Sequence, residues 1–346
     1  MSDTLTPLPA LLEKLKTSQN LSMAEAGELS RLLLGAEISD EQITDVLRLL
    51  ASKGETEDEI AGFAATMREF SEKVVSTRHT SIVDTCGTGG SAAKTFNVST
   101  AAAFVVAAAG IPVAKHGNVG VTSKSGSADV LRELGVNIDL SPAQARECLD
   151  QVGICFMFAP RHHPATRRVA QARRALGFRT IFNYLGPLTN PAGVPFQVIG
   201  VSDPKMAEKV ALALARLGTR RAWVVHGLDG LDEITLADAT LVHDVRGDGT
   251  VKQFEISPDD FGIGYADLDK ARGGTASENA ETVRGVLKGE IRDEARNLVL
   301  LNAAAAFCVA GACVTPQGAV EQAAHAIDSG AALTKLEEFR DYTQTA

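Results

Sequence analysis

From residue 82 onward the chain alternates short apolar runs with longer stretches of helical periodicity. "SIVD" precedes a helical pattern at 99–109, "IPVA" one at 127–134, "VGICFMF" one at 164–176, and "FQVIGVS" one at 205–217, before "RAWVVHG" closes the series. Runs this short read as strands. Strands separated by helices pair in parallel, because the helical crossover returns the chain to the same edge of the sheet and covers its face. The expected architecture is therefore an α/β unit with a central, mostly parallel sheet flanked by helices. "ATLVHDVRGDGTVKQFEIS" departs from the alternation: its partial two-residue period around Gly247-Asp248-Gly249 predicts an antiparallel hairpin. From Thr275 the pattern is helical again.

The first 75 residues contain helical patterns only. Three capping boxes mark helix starts: Ser22-x-x-Glu25, Ser39-x-x-Gln42 and Thr56-x-x-Glu59. In each, the hydroxyl accepts from the backbone N–H three residues on, and the longer side chain reaches back. With "STRHTS" (76–81) as a linker, 346 residues divide into a small all-helical N-terminal domain, 1–75, and a large α/β domain, 80–346.

The net charge of −9 argues against general affinity for nucleic acid or anionic membranes. Five scattered cysteines without a Cys-x-x-Cys argue against a disulfide framework or a zinc site and suit a reducing cytoplasm. The N-terminal sequence lacks a basic and apolar leader pattern. The longest uncharged apolar stretch, Ala101–Ala114, is too short to span a bilayer, so a soluble cytoplasmic protein is expected.

Against this acidic background, residues 85–128 contain no Asp or Glu, whereas 43 acids in 346 residues predict about five in a segment of that length. The same segment carries Lys94, Lys115, His116 and Lys124, and the glycine-rich "GTGGSAAKTFNVST" at 87–100. A Walker loop does not fit, since Thr88 and Ala93 stand where its two glycines belong. The dinucleotide fingerprint fits Gly87, Gly89 and Ala92, but the acid that should hold the ribose about 20 residues later is missing. What remains is a local anion site: Ser99 and Thr100 open one helix, "TSKSGS" ends at another, and helix N-termini favour phosphate. Two such termini with several cations suit a ligand with more than one phosphate. The plain alternative is ordinary glycine turns with solvated lysines.

"HGLDGLDEIT" follows the strand "AWVV" and places Asp229, Asp232 and Glu233 within five residues, a set able to chelate Mg²⁺ alongside substrate phosphates. A solvated acidic loop is the alternative. "RHHPATRRVAQARRALGFRTIFNYLGPLTNP" holds six arginines, of which Arg173 suits bidentate capture of a carboxylate. Arg168 and Arg174 read better as a solvated helix face. No nucleophile–base signature occurs, so the expected chemistry is positioning and charge neutralisation.

"DTCGTGG", "TFNVSTAAAF", "KHGN", "SKSGSADVLRELG", "RHHPA", "LGFRTIFNYLGPLTNP" and "HGLDGLDE" together resemble the anthranilate phosphoribosyltransferase family over about residues 82–235. The resemblance implies transfer of the phosphoribosyl group of phosphoribosyl pyrophosphate (PRPP) to anthranilate with Mg²⁺, towards tryptophan. It also implies a homodimer formed through the helical domain, which part of 165–190 would join.

The resemblance further implies residue roles. Gly87, Gly90, Ser91, Thr95, Asn97, Val98, Ser99 and Thr100 would line the PRPP site, with Lys115, His116, Gly117, Asn118, Ser123 and Ser127. Ser99, Asp232 and Glu233 would hold Mg²⁺. Anthranilate would meet Gly87, Asn118, His116, His163, Arg173 and Pro187. Lys115, Asn118 and Arg173 would position the reactants, with no residue acting as general base. Two positions depart from the family pattern: Ser91 where an Asp is usual and Val119 where an Arg is usual, which predicts an altered Mg²⁺ dependence with activity retained. A pyrimidine-nucleoside phosphorylase and a non-catalytic binding protein are the rival readings. The first gives no reason for the Asp232–Glu233 pair and wants a phosphate loop not seen here; the second predicts loss of that pair and a basic surface.

Overall fold

A computed structural model describes residues 8–35, 37–91, 94–120 and 124–346. The N-terminal unit consists of α1 (Leu8–Lys16), α2 (Met23–Leu34), α3 (Asp40–Lys53) and α4 (Glu57–Glu69). All three capping boxes form: Ser22, Ser39 and Thr56 each accept from the backbone three residues on, and each partner side chain returns the bond. Glu59 does more than cap. Fully buried, it pairs with Lys53 at 2.9 Å and accepts from the Leu21 N–H at 2.9 Å, so one carboxylate ties three helix ends together.

The α/β unit follows as β1 (Val83–Gly87), α5 (Val98–Ala108), β2 (Val113–Gly117), α6 (Ser127–Glu133), α7 (Pro142–Val152) and β3 (Ile154–Phe158). Next come α8 (Ala159–His162), α9 (Arg167–Leu176), α10 (Phe182–Leu188), β4 (Phe196–Gly200), α11 (Pro204–Arg216), β5 (Arg221–Gly227), β6 (Thr240–Arg246) and β7 (Val251–Ile256). α12 (Ala276–Leu287), α13 (Glu294–Ala310), α14 (Pro316–Asp328) and α15 (Ala331–Thr345) complete it.

The sheet order is β3-β2-β1-β4-β5-β6-β7; the first five strands are parallel, and the expected hairpin supplies the antiparallel β6 and β7. The five parallel strands are buried on both faces, whereas the edge strand β7 is largely exposed. Trp223 and Val225 join the apolar cluster of α5 and α13, while Ala222 and Val224, one residue out of phase, join that of α11 and the N-terminal helices. α5 and α13 are buried along most of their length and rich in alanine, which lets the two helices pack closely against the sheet. From β1 the chain builds outward first to β2 and β3, then on the other side to β4 and β5. That reversal leaves a crevice beyond the carboxyl ends of β1 and its neighbours, where open α/β sheets bind ligands.

Candidate active site

A cavity of about 320 Å³ opens in that crevice. Its floor comes from the ends of β1 and β2 and the start of α5: Gly87, Asn97, Ser99, Lys115, His116 and Gly117. Asn118 and Ser127 form one side, Arg173 and Pro187 the other, and Asp232 and Glu233 close the end. The acid-free segment of the sequence has become the wall facing these two carboxylates.

Local contacts fix each wall. Asn97 accepts from the Asn279 side-chain amide at 2.9 Å, which holds the entry of α5. Gly126 lets the backbone of 118–120 pass over the start of α6, where a β-carbon would lie 2.4 Å from the Gly120 nitrogen. Asp129 then accepts from the N–H groups of both Gly120 and Gly126, at 2.8 and 2.9 Å. Beneath the floor, buried Asp84 accepts from the His116 N–H at 3.3 Å and from Asn190 Nδ2 at 2.8 Å. The loop after β5 is gripped from behind by Asn302 of α13, which accepts from the Ile234 N–H at 3.1 Å and donates to its carbonyl at 3.0 Å.

Two neighbouring, half-buried carboxylates share one end of the cavity, and their proton affinities respond. Burial, reinforced by Asp232, pushes the Glu233 carboxyl up to about 8, against the pull of Lys115 and the Ser99 N–H. Burial also raises Asp232. Lys115 is itself buried, its Nζ donating to the Thr85 carbonyl and lying 3.4 Å from Ser99 Oγ. Burial lowers His116 to about 4 and His163 to about 3, so both imidazoles are neutral at pH 7. Their rings sit 5.0 Å apart, and His116 Nδ1 bonds to the Gly186 carbonyl at 2.9 Å.

Two family models match the chain: the glycosyl transferase family helical bundle domain over residues 9–71 and the glycosyl transferase family a/b domain over 79–333. Anthranilate phosphoribosyltransferase of Moorella thermoacetica is 49% identical over 95% of this chain and 96% of its own length. That of Myxococcus xanthus is 49% identical over 95% and 97%. The chain belongs to the anthranilate phosphoribosyltransferase family. Among solved members of that family, the Thermus thermophilus enzyme superposes with a TM-score of 0.90 at 38% identity, covering 96% of this chain and 99% of that one. The Saccharomyces cerevisiae enzyme in complex with PRPP and Mg superposes with a TM-score of 0.89 at 27% identity, covering 98% and 99%.

Within this anthranilate phosphoribosyltransferase family member, several expected site residues lie outside the cavity lining. Val98 is fully buried in the core, and the Thr100 side chain faces a small void behind Lys115. Thr95 forms a β-bridge with Arg272, and His163 stands behind His116. Gly90 lies beneath the Arg179 guanidinium, and Ser91 Oγ donates to the Gly230 carbonyl at 3.0 Å. Ser123 lies outside the described residues.

Asp229, read with Asp232 and Glu233 as a chelating trio, takes a different place. It accepts from Thr235 Oγ1 at 2.6 Å and from the Leu231 N–H at 3.1 Å, staples its own loop, and does not line the cavity. Sequence reasoning gave no role to Thr88, Gly89, Arg179, Phe182, Asn183 or Gly186, all of which line it. Phe182 carries the Arg173 guanidinium over its ring at 5.5 Å and rests edge-on against Phe63 of α4 at 5.9 Å. The motif "GFRTIFN" was the available signal, but its residues point inward only after α9 and α10 have folded against the N-terminal helices.

Proposed function

We infer that this chain transfers the phosphoribosyl group of PRPP to the amine of anthranilate, giving N-(5-phosphoribosyl)anthranilate and pyrophosphate. The observation that carries the reading is the juxtaposition, in one cavity, of a phosphate-type wall, a carboxylate pair and Arg173. The curated relatives, nearly half identical over almost the whole chain, support the same reaction.

The carboxylate pair fits Mg²⁺: two hard oxygen donors stand half-buried at adjacent positions in the cavity, and desolvation makes both hold protons more tightly than usual, a cost that a divalent cation would offset. Asp232 and Glu233, with Ser99, would hold the ion, which would neutralise charge on the pyrophosphate. The chain's own residues supply the rest. The C1–O bond of the ribose breaks, its electron pair leaves on pyrophosphate, and the C1–N bond forms from the aryl amine. Lys115 faces the charge growing on the leaving group from a fixed, partly desolvated position.

Arg173, immobilised on Phe182, captures the anthranilate carboxylate and aims the amine at C1. The amine is neutral at pH 7 and needs no base before attack; its proton leaves afterwards to pyrophosphate or water. The neutral His116 lines the cavity with the neutral His163 packed behind it, and neither takes up the reaction's proton. Asn118 orients the substrates between the two halves. We also assign dimerisation to the helical unit of residues 1–75, joined by part of 165–190, and place the enzyme in the cytoplasm. Among the described residues no helix is long and apolar enough to cross a membrane.

The test is anthranilate fluorescence with pure protein. Loss of signal that requires both PRPP and Mg²⁺ supports the reaction; an unchanged signal in their presence removes it. Light scattering at twice the protomer mass tests the dimer, and a protomer mass contradicts it.

A further inference from the structure

Arg179 lines the cavity, yet nothing in the reaction above uses it. It lies between α9 and α10, in a segment tied to the N-terminal helices through the Arg168–Asp40 ion pair and the Phe63–Phe182 contact. Its guanidinium crosses to the other side. Nη2 donates to the Gly89 carbonyl at 2.8 Å, and Nη1 lies 3.4 Å from Oγ of Ser202, just past β4. A β-carbon on Gly90 would fall 1.2 Å from Nη2, so the guanidinium occupies the space that a side chain there would take.

Gly89 and Gly90 both have positive φ, +71° and +91°. Consecutive glycines of this kind have many backbone alternatives and lose much entropy when held in one. Thr88 before them is held by its N–H, which donates to the Gly200 carbonyl at 2.9 Å, so the shape of the two glycines depends on what grips them. We infer that Arg179 is a positioning residue: it locks the glycine loop 87–90 onto the α9–α10 segment and thereby sets the loop's fit to the phosphates of PRPP. This rests on the reading of the cavity as a PRPP site. The planar fork matters as much as the charge, because one ammonium cannot hold the Gly89 carbonyl and the Ser202 hydroxyl in the same geometry.

The experiment compares wild type, Arg179→Gln and Arg179→Lys in two ways. Amide hydrogen exchange of the glycine loop is read on the substrate-free protein, and steady-state kinetics are run with each substrate varied. Arg179→Gln is expected to speed loop exchange and raise KM for PRPP by about tenfold, the value of one hydrogen bond to a charged group. KM for anthranilate and kcat should stay within about threefold of wild type and Tm should hold, since ground-state binding alone is lost. Arg179→Lys should fall between the two. Unchanged loop exchange and unchanged KM for PRPP would overturn the inference. So would a fall in every parameter together with Tm, which would mark Arg179 as a structural prop. The exchange measurement needs no turnover, so it decides the role of Arg179 even if the fluorescence test removes the proposed reaction.

Discussion

Lys115 Nζ lies 3.4 Å from Ser99 Oγ, where the end of β2 meets the first turn of α5. A buried ammonium thus stands beside a helix N-terminus, and both favour negative charge at the same point. In Lys115→Met the helix terminus remains but the charge is gone. Loss of one such preorganised group costs about 3 kcal/mol of transition-state stabilisation, or about a hundredfold in kcat. A kcat within a few-fold of wild type would show that the ammonium does not face the leaving group.

Arg173 reads the other substrate. Arg173→Ala should raise KM for anthranilate by about ten- to a hundredfold while leaving KM for PRPP near wild type, because a bidentate bond to a carboxylate is lost. Arg173→Lys should recover little, having neither the fork nor the stacking on Phe182. Full recovery with Lys would mean that charge alone suffices.

His116 and His163 make the fold sensitive to acid. Burial holds them at about 4 and about 3, below the ordinary 6.5. The unfolded chain therefore takes up protons first as pH falls, and stability is lost from about pH 6.5 downward until the folded values are reached. Between pH 7 and 5 the loss is roughly 2 kcal/mol per histidine. Urea unfolding at the two pH values should show a smaller drop in His163→Asn than in wild type; equal drops would contradict the buried, neutral imidazole.

The five thiols divide by position. Cys86, Cys148 and Cys155 are buried, and burial pushes all three up. Cys308, pushed up to about 12, and Cys313 are partly exposed at the end of α13 and just after it, with their Sγ atoms 3.1 Å apart. Thiol titration of the folded protein should count these two ahead of the others. Fast modification of Cys148 or Cys155 would contradict the packing.

Ser91 touches the loop that carries Asp232 through the Gly230 carbonyl. Ser91→Asp adds a carboxylate there and should shift the Mg²⁺ activation curve with activity retained. Superimposable curves would show that position 91 has no influence on the ion.

Much of this was legible in the residues. The capping boxes, the strand–helix alternation and the hairpin at Gly247-Asp248-Gly249 are local signals, and each appears in the structure where its residues predict it. The acid-free segment 85–128 supplies much of the cavity lining, and a missing charge class is a local property that the residues show directly. What was not legible depends on distant partners. Arg179 meets Gly89, Phe182 meets Phe63, and Asn302 meets Ile234 only when separate helices close on the sheet, and no spacing rule announces such pairs. Asp229 misled for a related reason: proximity in sequence to a carboxylate pair did not reveal that Thr235 would claim it.

The central claim is group transfer between two named substrates, and ³¹P NMR of a reaction mixture with pure protein, PRPP, Mg²⁺ and anthranilate tests it most directly. The predicted result is one pyrophosphate released per anthranilate consumed, dependent on all components and lost in the Asp232→Asn, Glu233→Gln double variant. PRPP that stays intact, or that is hydrolysed at the same rate without anthranilate, would contradict it.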